Sequence, residues 1–126
     1  MREYKTLAEI TKEWIASFNE HNIDKLLSLY HDNAVHYSPR LEAEKPETNG
    51  WLRGKEQLKE WWQRSFDELP SLSYELEDFS IGESKVFMEY TRRVDGERER
   101  YVMEFLKVEN FLIVESRVLR SWIMDK

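Results

Sequence analysis

The chain lacks cysteine altogether and has only three prolines and four well-separated glycines among its 126 residues. The absence of cysteine excludes disulfides and thiol chemistry, although it constrains the cellular compartment only weakly. The scattered glycines form no loop of the kind that cradles phosphate. No stretch approaches the roughly 18 apolar residues of a membrane-spanning helix, and the first residues lack the apolar core of a secretory signal. We therefore expect a cytoplasmic protein.

An excess of basic charge is also missing, since 19 Lys and Arg stand against 25 Asp and Glu, a net charge of −6. Such a chain repels phosphate backbones and anionic lipid, so neither nucleic acid nor a membrane is an expected partner. Histidine occurs only three times, at His21, His31 and His36, and this spacing matches no metal-binding motif. We expect neither a metal nor a cofactor.

What the chain has in quantity is aromatic surface, with 13% aromatic residues and five tryptophans. A chain of this length is typical of one domain, here residues 1–126, with a core large enough to need no covalent staples. Burying the rings stabilises such a core at roughly 25 cal/mol per Å².

The apolar residues recur with helical spacing in three segments of the first half. The first begins at a Thr6–Glu9 capping box and has its apolar face at Leu7, Ile10, Trp14, Ile15 and Phe18. A shorter stripe runs from Ile23 to Tyr30, and a third helix is predicted over 55–69, before Pro70. Residues 41–49 are polar and contain a proline, so they are predicted to form a loop.

The remaining segments alternate in the manner of half-buried strands. A first strand is predicted over 34–39, and further strands at 72–77, 86–94, 98–108 and 112–124. Turns are predicted at 81–84 and 109–110, and a two-residue hairpin at Asp95-Gly96. The order of elements predicts an α+β domain in which three helices from the N-terminal half pack on a curved antiparallel or mixed sheet.

Three segments, 14–36, 54–62 and 109–117, resemble the nuclear transport factor 2-like superfamily and, more closely, its SnoaL-like members. The resemblance implies a cystatin-like cone, in which the curved sheet wraps around a pocket that the helices close. It also implies a homodimer formed through the outer face of the sheet. It does not imply one activity, because this fold carries several enzymatic and non-catalytic functions.

Two catalytic patterns known in this superfamily are incomplete here. The ketosteroid isomerase pattern places its tyrosine donor on Trp14, its aspartate base on Ser38, and its second aspartate at Glu104. Neither an indole nor a serine hydroxyl replaces those groups, so that mechanism is not expected. The limonene epoxide hydrolase pattern falls near Tyr90, Arg92 and Val118, where both required carboxylates are absent.

His36 and Glu104 are the candidate catalytic residues. His36 lies on the first predicted strand, where an imidazole titrates near neutral pH and is suited to proton transfer; the alternative is a hydrogen-bonded histidine of structural role. Glu104 lies among apolar residues, so its carboxyl group is expected to be exposed, paired, or raised in pKa. Resemblance favours the pocket side, with an exposed edge position or a pair with Arg92 as alternatives.

Two further polar groups have open assignments. Arg92 is either an anchor for a ligand or the solvated end of a hairpin, and the charged residues that follow favour the second. If Ser116 and Val118 face the pocket, then Glu115 and Arg117 face the outer side. They would then form a salt bridge across the dimer or a surface ion pair within one chain.

Aromatic stripes are more often ordinary core, yet this fold leaves a cavity that some rings are expected to line. The predicted ligand-binding residues are Trp14, Phe18, Tyr30, Ser38, Trp51, Trp62, Phe66, Met88, Tyr90, Arg92 and Val118. The predicted function is binding of a small hydrophobic or aromatic ligand, with lyase- or isomerase-type acid–base chemistry. The alternative is a non-catalytic dimerisation or accessory module whose cavity is filled by side chains.

Overall fold

The computed structural model describes residues 5–124 and contains, over this part of the chain, four α-helices and six strands. The helices are α1 (Leu7–Asn19), α2 (Ile23–Ser28), α3 (Pro39–Glu44) and α4 (Gly54–Glu68), and a short 3-10 turn covers Pro46–Thr48. The strands are β1 (Tyr30–Tyr37), β2 (Trp51–Arg53), β3 (Ser73–Ile81), β4 (Lys85–Arg93), β5 (Arg100–Glu109) and β6 (Leu112–Ile123).

Helix α1 begins at the predicted capping box. The Thr6 hydroxyl accepts from the Glu9 backbone N–H at 3.1 Å, and the Glu9 carboxylate accepts from the Thr6 N–H at 3.1 Å. These bonds satisfy donors that a helix start leaves unpaired. The apolar face is buried, as the spacing predicts, and it carries Ile10, Trp14 and Phe18 into the core.

The strands form a single sheet in the order β2-β1-β6-β5-β4-β3. Strands β1 and β6 pair in parallel, and the other neighbours pair antiparallel. Helices α1 and α4 cover the sheet, α1 against β3 and β4, and α4 against β1 and β2. The predicted α+β fold with a mixed sheet is confirmed.

The sheet curves because several strands carry extra residues. On β6, the pairing of Glu104 with Val118 and of Met103 with Arg120 leaves Leu119 as an extra residue. A second irregularity on β6 falls next to Ile113, and β3 has another between Leu76 and Asp78. Such bulges bend a strand and increase its twist. The result is a curved, unclosed sheet whose concave face receives the helices.

Residues 41–49 differ from the predicted loop, since they contain the end of α3 and a 3-10 turn. The Ser38 hydroxyl accepts from the Arg40 N–H at 3.2 Å, and Pro39 occupies the first helical position. A serine N-cap followed by proline is a strong start signal, so a short helix forms despite the polar composition. The count of three helices therefore becomes four.

Two turn assignments also change. Strand β4 ends at Arg93 and β5 begins at Arg100, so residues 94–99 form a longer connection and the two-residue hairpin prediction at Asp95-Gly96 is wrong. A turn still closes there, because the Glu97 N–H donates to the Val94 carbonyl at 3.0 Å. The two-residue hairpin lies instead at Asn110-Phe111, whose φ values of 51° and 66° are typical of a type I′ turn.

Candidate functional site

The concave face of the sheet and helices α1 and α4 enclose an open-mouthed cavity of about 620 Å³. This volume lies within the range of small-molecule sites. Nine of the residues predicted as catalytic or ligand-binding lie in its wall: Trp14, Phe18, His36, Ser38, Trp62, Tyr90, Arg92, Glu104 and Val118.

The open volume is concentrated at the mouth. His36 and Glu104 are only 4% and 2% exposed, so the deep end of the cavity is narrow. The rim residues Arg92, Arg100 and Ser121 are half-buried instead. A ligand would therefore meet polar, partly solvated groups first and aromatic walls below them.

A chain of hydrogen bonds ends at His36. The Trp14 indole N–H donates to the Tyr30 hydroxyl at 3.0 Å, and that hydroxyl donates to Ser116 Oγ at 2.9 Å. Ser116 Oγ lies 2.7 Å from His36 Nδ1. Because an indole can only donate, the Tyr30 hydroxyl passes its hydrogen to Ser116 Oγ. If the Ser116 hydroxyl donates in turn to Nδ1, the ring hydrogen of His36 is on Nε2; the other tautomer donates from Nδ1 to Ser116.

Burial lowers the pKa of His36 to about 4, because desolvation disfavours the charged imidazolium. The ring is therefore neutral near pH 7. A hydrogen bond with the Ser116 backbone offsets part of that decrease in pKa. The ring also packs edge-on against Trp62, with centroids 5.2 Å apart. His36 is thus a neutral imidazole held between Ser116 and Trp62.

The Glu104 carboxyl group is the second titratable group of the cavity. The Tyr90 hydroxyl donates to Oε1 at 2.7 Å, while Oε2 is buried without a hydrogen-bond partner in the described part of the chain. Burial raises the pKa of Glu104 to about 7, and the bond from Tyr90 offsets part of that rise. The carboxyl group is therefore close to half-protonated at neutral pH.

His36 and Glu104 do not lie on adjacent strands. His36 on β1 is level with Ser116 of β6, and Glu104 on β5 is level with Val118 of the same strand. Two strand spacings separate them laterally, or about 10 Å. They cannot exchange a proton directly, so only a ligand lying across β6 would contact both.

Aromatic rings form the wall between the helices and strands β3 and β4. Trp14 packs against Phe18 and Tyr90, with ring centroids 4.5 Å and 5.7 Å apart, and Tyr74 lies 4.3 Å from Tyr90. Such contacts add to the stabilisation that burial of the rings provides. The wall therefore presents mainly aromatic ring surface to the cavity.

Four predicted ligand-binding residues lie outside this cavity wall. Tyr30 is buried beneath Trp14, where it serves the hydrogen-bond chain. Trp51 sits on the short edge strand β2 against Tyr37. Phe66 packs in the core against Phe18, and Met88 lines a separate depression of about 260 Å³. Helical spacing and strand parity predict which side of an element faces the interior. They do not show which part of that interior the cavity occupies, and these four residues lie elsewhere.

Similarity to known proteins identifies the family of this chain. The profile of the SnoaL-like domain matches residues 11–116. The chain belongs to this family. A search of curated proteins by sequence finds no significant match.

Solved structures similar to this SnoaL-like protein share its fold. A SnoaL-like protein of unknown function from Burkholderia thailandensis is 27% identical, with a TM-score of 0.80 over 98% of this chain and 100% of that one. A cystatin-fold protein from Novosphingobium aromaticivorans is 21% identical, with a TM-score of 0.74 over 89% and 96%. A putative polyketide cyclase from Sinorhizobium meliloti is 13% identical, with a TM-score of 0.71 over 86% and 92%.

The SnoaL-like cavity also contains residues that were absent from the predicted site. They are Pro39, Arg40, Trp61, Ser65, Leu72, Tyr74, Glu97, Arg100, Val102 and Ser121. Tyr74 was detectable, because it is an aromatic residue that shares one face of its predicted strand with Leu72 and Leu76. Arg100 was not, because its position depends on the length of the 94–99 connection.

A metal-holding cluster and a membrane-spanning helix are both absent from residues 5–124 of the SnoaL-like chain. No group of three or more His, Cys, Asp or Glu side chains there is arranged to hold a metal ion. No helix in that range is long and apolar enough to cross a membrane.

Proposed function

We propose that this SnoaL-like protein binds a small apolar or aromatic molecule in its cavity and carries out proton transfer or elimination on it. Glu104 acts as the proton acceptor and donor, and His36 donates a hydrogen bond to a polar group of the ligand. The observation that carries the proposal is the placement of these two buried titratable groups, with opposite pKa shifts, in one aromatic-walled cavity.

The two environments suit these two roles. A general base works best when its pKa lies near the working pH, which is where burial places Glu104. A neutral imidazole with its hydrogen on Nε2 cannot accept a proton there, but it can stabilise negative charge that develops on a carbonyl oxygen. Groups whose pKa values are pushed apart by their surroundings are the usual sign of divided acid–base roles.

We expect aromatic carbonyl compounds from a small-molecule library to raise the melting temperature of the wild-type protein. A ligand at 100 times its dissociation constant stabilises by about 2.7 kcal/mol. His36→Ala and Glu104→Gln should lose most of that shift, because each removes a polar contact in the cavity. Hits would then be incubated in D₂O, and exchange at a carbon next to the carbonyl would be measured by NMR.

Glu60→Gln, which removes an exposed carboxylate on α4, is the control and should keep every hit. A library without wild-type hits would contradict the proposal, as would hits that both cavity variants retain unchanged. Binding without deuterium exchange would leave a binding protein and remove the catalytic part.

The narrow deep end supports a second candidate function, a non-catalytic accessory module with a filled interior. His36 and Glu104 expose little of their surface, and the rings of Trp14, Phe18 and Tyr90 occupy the space around them. In that case the titratable groups belong to the core. A library screen without hits would favour this candidate.

We also propose that the outer face of the sheet forms a homodimer. Phe87 and Leu119 are 45% and 44% exposed on or beside it. Phe87 packs against Phe105, and the Arg117 guanidinium covers the Phe105 ring at 4.7 Å. Arg117 and Glu115 form an ion pair of 2.9 Å within one chain, without the alignment of a hydrogen bond. Exposed apolar rings rimmed by charges are typical of a protein interface.

Light scattering of the wild-type protein should therefore give twice the 15.4 kDa mass of one chain. Phe87→Glu should shift the mass towards the monomer, because it places a charge within the apolar patch. Ile81→Glu is the matched control: Ile81 is also exposed, but it pairs with the buried Val86 and lies on the opposite side of the sheet. A wild-type mass near 15.4 kDa would refute the dimer.

A further inference from the structure

We infer that the ligand of this cavity is an apolar or aromatic carboxylic acid, whose carboxylate binds Arg100 and Arg92 at the mouth while its hydrophobic body lies between the aromatic walls. This inference rests on the function proposed above and specifies the class of ligand. It is based on the arrangement of charges at the rim.

Two arginines face each other across strands β4 and β5. Arg92 and Arg100 are direct cross-strand partners. Like charges in this position destabilise a sheet unless an anion lies between them. Glu97 supplies one carboxylate, with Oε1 3.0 Å from Arg92 Nη1. Glu97 therefore balances Arg92, and the positive charge of Arg100 is left over.

The unbalanced charge belongs to Arg100. Over residues 5–124, the only hydrogen bond of its side chain is from Nη1 to Ser121 Oγ at 3.2 Å, and no carboxylate lies within ion-pair distance. The residue is half-buried and lines the cavity. A partly desolvated cation without an anion is unfavourable, and a ligand carboxylate would remove that cost.

The third arginine of the cavity wall, Arg40, is already paired, so Arg92 and Arg100 are the residues left to bind an anion. Arg40 also lines the cavity, but its Nε is paired with Glu44 at 2.7 Å. The Arg92 side chain is only 16% exposed, so an anion held there would be partly shielded from water. Charge-assisted bonds to arginine are then at their strongest, and the planar guanidinium fork fits a planar carboxylate.

One negative charge fits this site better than two. The single unpaired guanidinium balances a carboxylate, whereas a phosphate dianion would leave a charge uncompensated near Glu104. The walls below the rim are aromatic and carry no cationic group: Trp14, Trp62 and Tyr74. In a chain of net charge −6, a locally positive mouth also draws anions selectively to this opening.

The test uses phenylacetate, 2-naphthylacetate and 4-biphenylacetate, each compared with its neutral primary amide and with the corresponding arylethylamine. Affinities are measured by isothermal titration calorimetry at pH 6.5. We expect at least one acid to bind the wild-type protein about tenfold or more tightly than its amide, from one charge-assisted interaction. The amine should bind more weakly still.

Arg100→Met and Arg92→Met should abolish the preference for the acid while the amide binds as before. Arg93→Met is the matched control: Arg93 is adjacent to Arg92 on the same strand, but pairs with Glu75 and Glu99 away from the cavity. This control should keep the preference. The comparison of acid, amide and amine in the wild-type protein needs no variant, so it holds even if one variant folds poorly.

Each other result contradicts the inference in its own way. Equal affinity for acid and amide, or a preference for the amine, overturns the anion site and leaves the proposed function standing. A preference for the acid that survives both cavity substitutions overturns the assignment to Arg92 and Arg100. No binding by any member of the panel overturns the inference and counts against the proposed function as well.

Discussion

Glu104→Gln is expected to make the protein less sensitive to rising pH. Between pH 5 and pH 8, its free energy of unfolding should rise by about 2.5 kcal/mol relative to that of the wild type. Burial raises the pKa of this carboxyl from an ordinary 4.5 to about 7. Each unit of difference between the folded and unfolded pKa corresponds to about 1.4 kcal/mol. Glutamine keeps the acceptor for Tyr90 but has no proton to lose.

The sign follows from the proton balance. The folded protein holds the Glu104 proton to a higher pH than the unfolded chain, so the full stability is present below pH 4.5. Stability falls as pH rises from there to about 7 and then levels off. His36 acts in the opposite direction: its lowered pKa of about 4 costs stability as pH falls below 6.5. That contribution is common to both proteins, so it cancels in the comparison.

The measurement is urea denaturation of the wild type, Glu104→Gln and the exposed control Glu60→Gln at pH 5, 6, 7 and 8. The wild type and the control should show parallel pH profiles, and the cavity variant should rise relative to both. Parallel profiles for all three proteins would show that Glu104 has an ordinary pKa. The proposed proton acceptor would then be fully ionised at neutral pH.

Much of the fold follows from local patterns in the sequence, because each pattern matches a local physical cause. The 3- and 4-residue spacing from Leu7 to Phe18 gives α1, and the capping box marks its start. The helical spacing continues to Tyr30, yet α2 ends at Ser28 and Tyr30 begins β1. Tyr30 pairs there with Ile113 of β6, so a long-range strand contact overrides the local preference.

The site is harder to predict because it depends on how distant strands are ordered. His36 and Glu104 both lie in the cavity wall, which is the side that the family resemblance implied for Glu104. Strand parity alone leaves the face of Glu104 open, because a slip of one residue reverses it. It does not reveal that β6 runs between them, nor that Ser116 links His36 to Tyr30. Arg100 enters the cavity wall only because the 94–99 connection sets its register opposite Arg92. These features arise from topology rather than from local composition.

Trp14→Ala is expected to cost about 3–5 kcal/mol of unfolding free energy, a large part of the roughly 5–15 kcal/mol that a domain has. The side chain is fully buried, its ring contacts Phe18 and Tyr90, and its indole N–H donates to the Tyr30 hydroxyl. The substitution leaves a cavity in the core and removes one bond from the chain that ends at His36.

Trp51→Ala is the matched control, because it makes the same deletion on the edge strand β2, where the ring is half-buried against Tyr37. We expect it to cost less than about 1.5 kcal/mol, since less surface returns to water and no hydrogen bond is lost. Urea denaturation followed by far-UV circular dichroism measures both. Equal costs would show that Trp14 is not the centre of the aromatic wall. Trp14→Phe retains an aromatic ring but removes the indole N–H, so a stability cost well below that of Trp14→Ala would assign most of the effect to packing rather than to the hydrogen bond with Tyr30.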